Sequence, residues 1–98
     1  MKYIFLAPAR TELQEAVYYY EDRRPGLGEE FAAEVKSTIG RILLNPTVWT
    51  RISKNVRRCR LRRFPYALIY QARRDAIVVV AVAHLRRDPD YWRSRLDL

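Results

Sequence analysis

Eight consecutive small or β-branched residues, Ala76–Ala83 (AIVVVAVA), constrain this chain more than any other feature. A run of this kind with no polar position predicts a strand covered on both faces and placed centrally in a sheet. It needs neighbours on either side and a layer above and below. At about eight residues it is also much too short to cross a bilayer. It ends at His84, the only histidine of the 98 residues, which places that ring at the rim of the sheet.

The neighbours can be read upstream. Val56–Phe64 (VRRCRLRRF) and Tyr66–Ala72 (YALIYQA) read as two more strands, with Pro65 at the turn between them and Arg73-Arg74-Asp75 as a tight turn into the buried strand. Strand alternation sends Arg58, Arg60 and Arg62 to one side and Cys59 and Leu61 to the other. Arginines two apart on a strand stand about 6.6–6.8 Å from one another, close to the phosphate spacing of a nucleic-acid strand. Lys54, Arg57, Arg58, Arg60 and Arg62 are therefore the expected nucleic-acid-binding residues. Seven bases and no acid fall within Arg51–Arg63, whereas residues 1–50 are slightly acidic. The overall charge of +8 thus concentrates in the second half and predicts a polyanion or an acidic protein as partner.

The layer above comes from the first half. Lys2–Leu6 reads as a strand, β1, and its short apolar stretch, Tyr3–Ala7, is read as a strand and not as a signal peptide. From Ala9, Leu13, Ala16, Val17 and Tyr20 recur at helical spacing, with Glu12, Glu15 and Asp22 assigned to the solvated face. Arg24-Pro25-Gly26 breaks that helix. A second helix is expected over Leu27–Leu44, where Phe31, Val35, Ile39 and Ile42 share a face and Glu29 and Glu30 suit the first turn. Asn45-Pro46 ends it. Thr47–Asn55 has no period and reads as a loop pinned by Trp49 and Ile52. After His84, Asp88 and Pro89 suit the start of a short helix or turn over Asp90–Leu96. The sum is an α+β domain over residues 1–98, ordered β-α-α-β-β-β with a C-terminal α element. A helical hairpin covers a small, mostly antiparallel four-stranded sheet. One cysteine, Cys59, permits no internal disulfide and fits a reducing, cytoplasmic setting.

The chemistry available is narrow. One histidine and one cysteine far apart give no zinc spacing, and no glycine-rich phosphate loop is present, so no metal or cofactor is expected. His84, Arg86, Arg87 and Tyr91 could together perform metal-independent RNA cleavage. A base takes the ribose 2′-OH proton, arginines stabilise the phosphorane charge, and an acid protonates the leaving oxygen. The bland readings stay open: His84 as a hydrogen-bonded strand end, and Tyr91 as edge packing.

The segments ARTELQEAVYYYEDRRPGLGEEF from Ala9, Asn45-Pro46, RRCRLRRFPYALIY at 57–70 and AVAHLRRDPDYW at 81–92 resemble the RelE/ParE superfamily of bacterial type II toxins. The resemblance covers nearly the whole chain and implies the same β-α-α-β-β-β fold. It also implies a cognate antitoxin that wraps and neutralises the protein. RelE-like members cleave mRNA on the ribosome, and ParE-like members inhibit DNA gyrase. By the resemblance, Arg58 and Arg60 match basic positions of RNA-cleaving members. His84, Arg86, Arg87 and Tyr91 fall in their catalytic region. Ala67 departs from the pattern, standing where RNA-cleaving members carry an arginine. The first expectation is therefore a ribosome-dependent mRNA endonuclease, with gyrase inhibition, or a decayed toxin that keeps only antitoxin binding, as the alternatives.

Overall fold

A computed structural model describes residues 1–96; the last two residues of the expected 1–98 domain lie outside the described residues. The elements run β1 (Lys2–Phe5), α1 (Ala7–Arg23), α2 (Leu27–Leu44), β2 (Thr50–Ser53), β3 (Val56–Arg60), β4 (Tyr66–Ala72) and β5 (Ala76–His84), followed by a single 3₁₀ turn, Arg93–Leu96. The sheet has five strands in the order β1-β5-β4-β3-β2. All pairs are antiparallel except β1 with β5, which brings Lys2 beside Ala76 and Phe5 beside Val79.

Three expectations change. The stretch expected as a loop contains β2, which pairs with β3 as a hairpin and adds a fifth strand. Its short, polar sequence TRIS shows no alternation of its own, and pairing with β3 makes it a strand. The Val56–Phe64 strand stops at Arg60, so Arg62 leaves the expected row. Glu34 on α2 takes the backbone N–H groups of both Arg62 and Arg63 and turns the chain there. β5 is interior and buried along almost its whole length, but β4 occupies the middle of the sheet.

The helices pack on one face. Phe31, Val35, Ile39 and Ile42 of α2 meet Cys59, Leu68, Tyr70 and Val79 of the sheet. Tyr20, Phe31, Phe64 and Tyr66 form an aromatic cluster with ring centroids 4.8–6.2 Å apart, in edge-on and offset geometries that favour such pairs. Tyr70 donates to the Pro46 carbonyl at 2.6 Å and ties down the α2–β2 connection; burial raises its pKa to about 12. The other face of the sheet is covered in part by the segment after β5. Trp92, 1% exposed, packs there with Val56, Ile69, Val80 and Ala81.

The turn between the helices is set by Gly26, with φ at +88°, a left-handed conformation that suits glycine. Glu21 caps α2 from outside, accepting the N–H groups of Gly26 at 2.9 Å and Gly28 at 3.0 Å. Gly28 is also where the helices touch: a Cβ there would lie 2.5 Å from the Val17 carbonyl oxygen and 2.9 Å from Glu21 Cβ. Gly28→Ala should therefore destabilise the protein by about 1–3 kcal/mol through overpacking, despite alanine's better helix propensity. Urea unfolding of the variant checks this, and an unchanged midpoint would refute the close approach.

Candidate functional site

The segment after β5 folds back over the open face of the sheet and encloses a cavity of about 420 Å³. Ala67, Ile69 and Ala83 supply a floor of small and aliphatic side chains, and Arg58 and Arg93 stand at its sides. Arg93 is strapped to Asp90 at 2.7 Å and to Ser53 Oγ at 3.3 Å, which joins the segment to β2. Arg58 is half-buried and has no acidic partner among the described residues.

The segment is held from below by Glu12. β1 stops pairing at Val79, so the next stretch of the β5 edge has no strand beside it. Glu12, in the second turn of α1, accepts the Val82 N–H at 3.0 Å. Arg95 donates to the Val80 carbonyl at 3.0 Å and to both Glu12 oxygens at 2.8 Å. Tyr91 donates to Glu12 at 2.7 Å, and Arg87 approaches to 3.5 Å. One ion pair thus finishes a sheet edge that would otherwise leave buried backbone groups unpaired. Burial alone would raise the Glu12 pKa. The hydrogen bonds from Arg95, Tyr91 and the Val82 N–H, with the charge of Arg95, outweigh it and leave the carboxyl below its ordinary value. Periodicity assigns Glu12 to the solvated face of α1, whereas the structure turns it under the candidate site. No signal in the helix itself marks it, because its partners lie 70–83 positions away.

The expected site residues divide between the two faces of the sheet. Arg58 pairs with Ile69 and Arg60 with Ala67, on the cavity side. His84 pairs with Tyr66, and its ring lies 5.0 Å from the Tyr66 ring, toward the helical side, although at the strand end the residue also borders the cavity that Arg58 lines. The cause is a bulge in β5. Ile69 pairs with Ala81 and Tyr70 with Val79, leaving Val80 as an extra residue, a local geometry that shifts the alternation by one position. Val80 and Ala81 both face the second core, and from Val82 onward the strand presents the opposite parity. With strict alternation from Val79 and no bulge, His84 would face the same way as Arg58.

His84 Nδ1 accepts the Arg86 N–H at 3.1 Å. The ring proton of the neutral imidazole therefore sits on Nε2, which donates and does not accept. Arg86 is exposed. Arg87 lies 3.7 Å from the centroid of the Tyr91 ring, and Arg95 lies 4.9 Å from it. Burial, then the neighbouring Glu12 carboxylate, push the Tyr91 pKa well above its ordinary value, so this hydroxyl is a committed donor. Arg57 turns to the helical side and donates to the Trp49 carbonyl at 3.0 Å. Lys54 is exposed at the β2–β3 turn, where its carbonyl accepts from Arg51. Arg62 is exposed in the loop after β3. Among the described residues no group of three His, Cys, Asp or Glu is placed to hold a metal ion, and no helix is long and apolar enough to cross a membrane.

A helical hairpin on a five-stranded sheet, with a basic face and a folded-back C-terminal segment, is the architecture of a small toxin class. The family model described as "ParE toxin of type II toxin-antitoxin system, parDE" matches residues 3–89, and the chain belongs to that family. A solved structure titled "Chromosomal ParDE TA system from P. aeruginosa" has a similar fold, with a TM-score of 0.64 and 14% identity over 88% of this chain and 97% of that one. No curated protein matches the sequence. The match ends at Pro89, so Tyr91, Trp92, Arg93 and Arg95 lie beyond it.

Proposed function

We propose that this protein is the toxin of a type II module, neutralised by a cognate antitoxin, and that it acts in the cytoplasm by binding DNA gyrase and not by cutting RNA. The observation that supports this is the split between the two faces. The imidazole lies on the helical side with Nδ1 occupied, while Arg58 and Arg60 lie on the other. A general base must reach the proton it removes. Here the imidazole ring turns toward Tyr66 and away from the Arg58–Arg60 row, and Arg87, which lines the same cavities as His84, is engaged with Glu12 and the Tyr91 ring. Tyr91 is held by Glu12 as a donor, and Ala67 provides no cation on the cavity floor. What remains is a rigid basic surface suited to binding. The mRNA-cleaving reading keeps one observation in its favour, the unpaired Arg58 beside a cavity of about 420 Å³ that His84 and Arg87 also border.

Purified protein added to gyrase and relaxed plasmid should block supercoiling or accumulate cleaved DNA. Transcripts mapped by primer extension after induction should show no new cuts. In-frame cuts in translated messages, with gyrase untouched, would overturn the proposal in favour of cleavage.

A further inference from the structure

A second cavity, of about 200 Å³, opens on the opposite side of the sheet, between α1 and the ends of β4 and β5. Its lining includes Tyr19, Tyr66 and His84, together with the exposed Glu15. We propose that this cavity receives a basic side chain, arginine or lysine, projecting from a partner protein. The proposal does not rest on the gyrase reading.

Three observations converge on a cation. First, the walls are aromatic: Tyr66 and His84 meet edge to face at 5.0 Å, and aromatic faces attract guanidinium and ammonium groups. Second, the lining carries two carboxylates, Glu12 and Glu15, against one guanidinium, Arg87. Glu12 is already taken up by Arg95 and Tyr91, and Arg87 is turned toward Glu12 and over the Tyr91 ring. Glu15 has no such partner among the described residues and is exposed, so its charge is free to meet a cation there. Arg23, which stacks on Tyr19 at 4.7 Å, does not line the cavity. Third, the Tyr66 hydroxyl also lacks a hydrogen-bond partner among the described residues, and it offers an oxygen at the cavity wall. On a protein of net charge +8 this is a local exception, acidic and aromatic. A partner that is acidic overall, and so drawn to the arginine surface, would be held in register by a single basic residue seated here. The volume suits one side chain and not a folded element.

The probe is n-butylguanidinium, with butyrate as the control of similar size and opposite charge. Each is titrated into the intact labelled protein and followed by NMR. Butylguanidinium should give saturable shifts at Glu15, Tyr19, Tyr66 and His84, and butyrate none. Glu15→Gln and Tyr19→Leu, both at exposed positions, should each weaken binding about threefold, the scale of one exposed ion pair or one cation–π contact. Circular dichroism confirms that both variants are folded. Absence of saturable shifts, binding of butyrate in place of the cation, or unchanged affinity in both variants would overturn the proposal.

Discussion

Glu12→Ala should destabilise this protein by about 3–5 kcal/mol, the cost of removing one partner from a buried ion pair. The same substitution at Glu15, one turn further along the same helix, should change stability by less than about 0.5 kcal/mol. The contrast follows from what is left behind. Without the carboxylate, Arg95, with its side chain only 16% exposed, keeps its charge in a site that no longer neutralises it, and the Val82 N–H loses its acceptor. Chemical denaturation should show a lower midpoint with an unchanged slope. The pH dependence gives a second readout. The Glu12 pKa is lower in the folded protein than its ordinary value of 4.5. Its contribution is therefore fully present above that value and is lost as pH falls through the lower, folded-state pKa. Glu12→Gln, which cannot titrate, should flatten the acid limb of the stability profile below about pH 4.5. An acid limb identical to that of the parent protein would show that the carboxylate contributes no such linkage.

Trp92→Ala is the second large effect, again about 3–5 kcal/mol for deletion of a buried aromatic side chain. Trp92 is 1% exposed, packs against Val56, Val80 and Ala81, and donates its indole N–H to the Pro89 carbonyl at 2.7 Å. Its loss removes the anchor of the segment that roofs the larger cavity. Hydrogen exchange should show the backbone amides of Tyr91–Arg95 losing protection first, since they depend on that anchor, with the β4–β5 ladder following as global stability falls. A loss of less than about 1 kcal/mol would mean that the segment is not part of the cooperative fold.

Much of this architecture can be read from residue patterns alone. The two helices are legible because each has a periodic apolar face and a breaker at its end, Pro25-Gly26 and Asn45-Pro46. β3, β4 and β5 are legible because alternation or continuous β-branching marks them. What fails to appear is whatever depends on distant partners. β2 has no pattern of its own and exists through pairing with β3. The bulge at Val80 is invisible inside a run that is apolar at every position, so no break in alternation reports it. That hidden bulge decides which way His84 turns, and with it whether the imidazole faces the Arg58–Arg60 row. Glu12 has the helical phase of a solvated residue. Its burial is imposed by Arg95 and by a sheet edge left uncovered when β1 ends. The arginine-rich stretch is legible as a basic segment, but its members divide. Arg58 and Arg60 share one face, Arg57 turns to the helices, and Arg62 and Lys54 lie in turns.

The parallel pairing of β1 with β5 has a consequence for synthesis. Residues 2–5 can find their place only after residues 76–79 exist, and Glu12 must wait for Arg95. Contacts of such long sequence separation form late. During translation the helical hairpin and the β2–β3–β4 meander can assemble from local contacts, while the first strand stays unpaired. The roof over the larger cavity closes last, once Tyr91–Arg95 has left the ribosome. A ribosome making this protein therefore carries no finished copy of the cavity until Arg95 has emerged. The interval between the emergence of β5 and the closure of Tyr91–Arg95 over it is the time in which an inhibitor already present could engage the chain first.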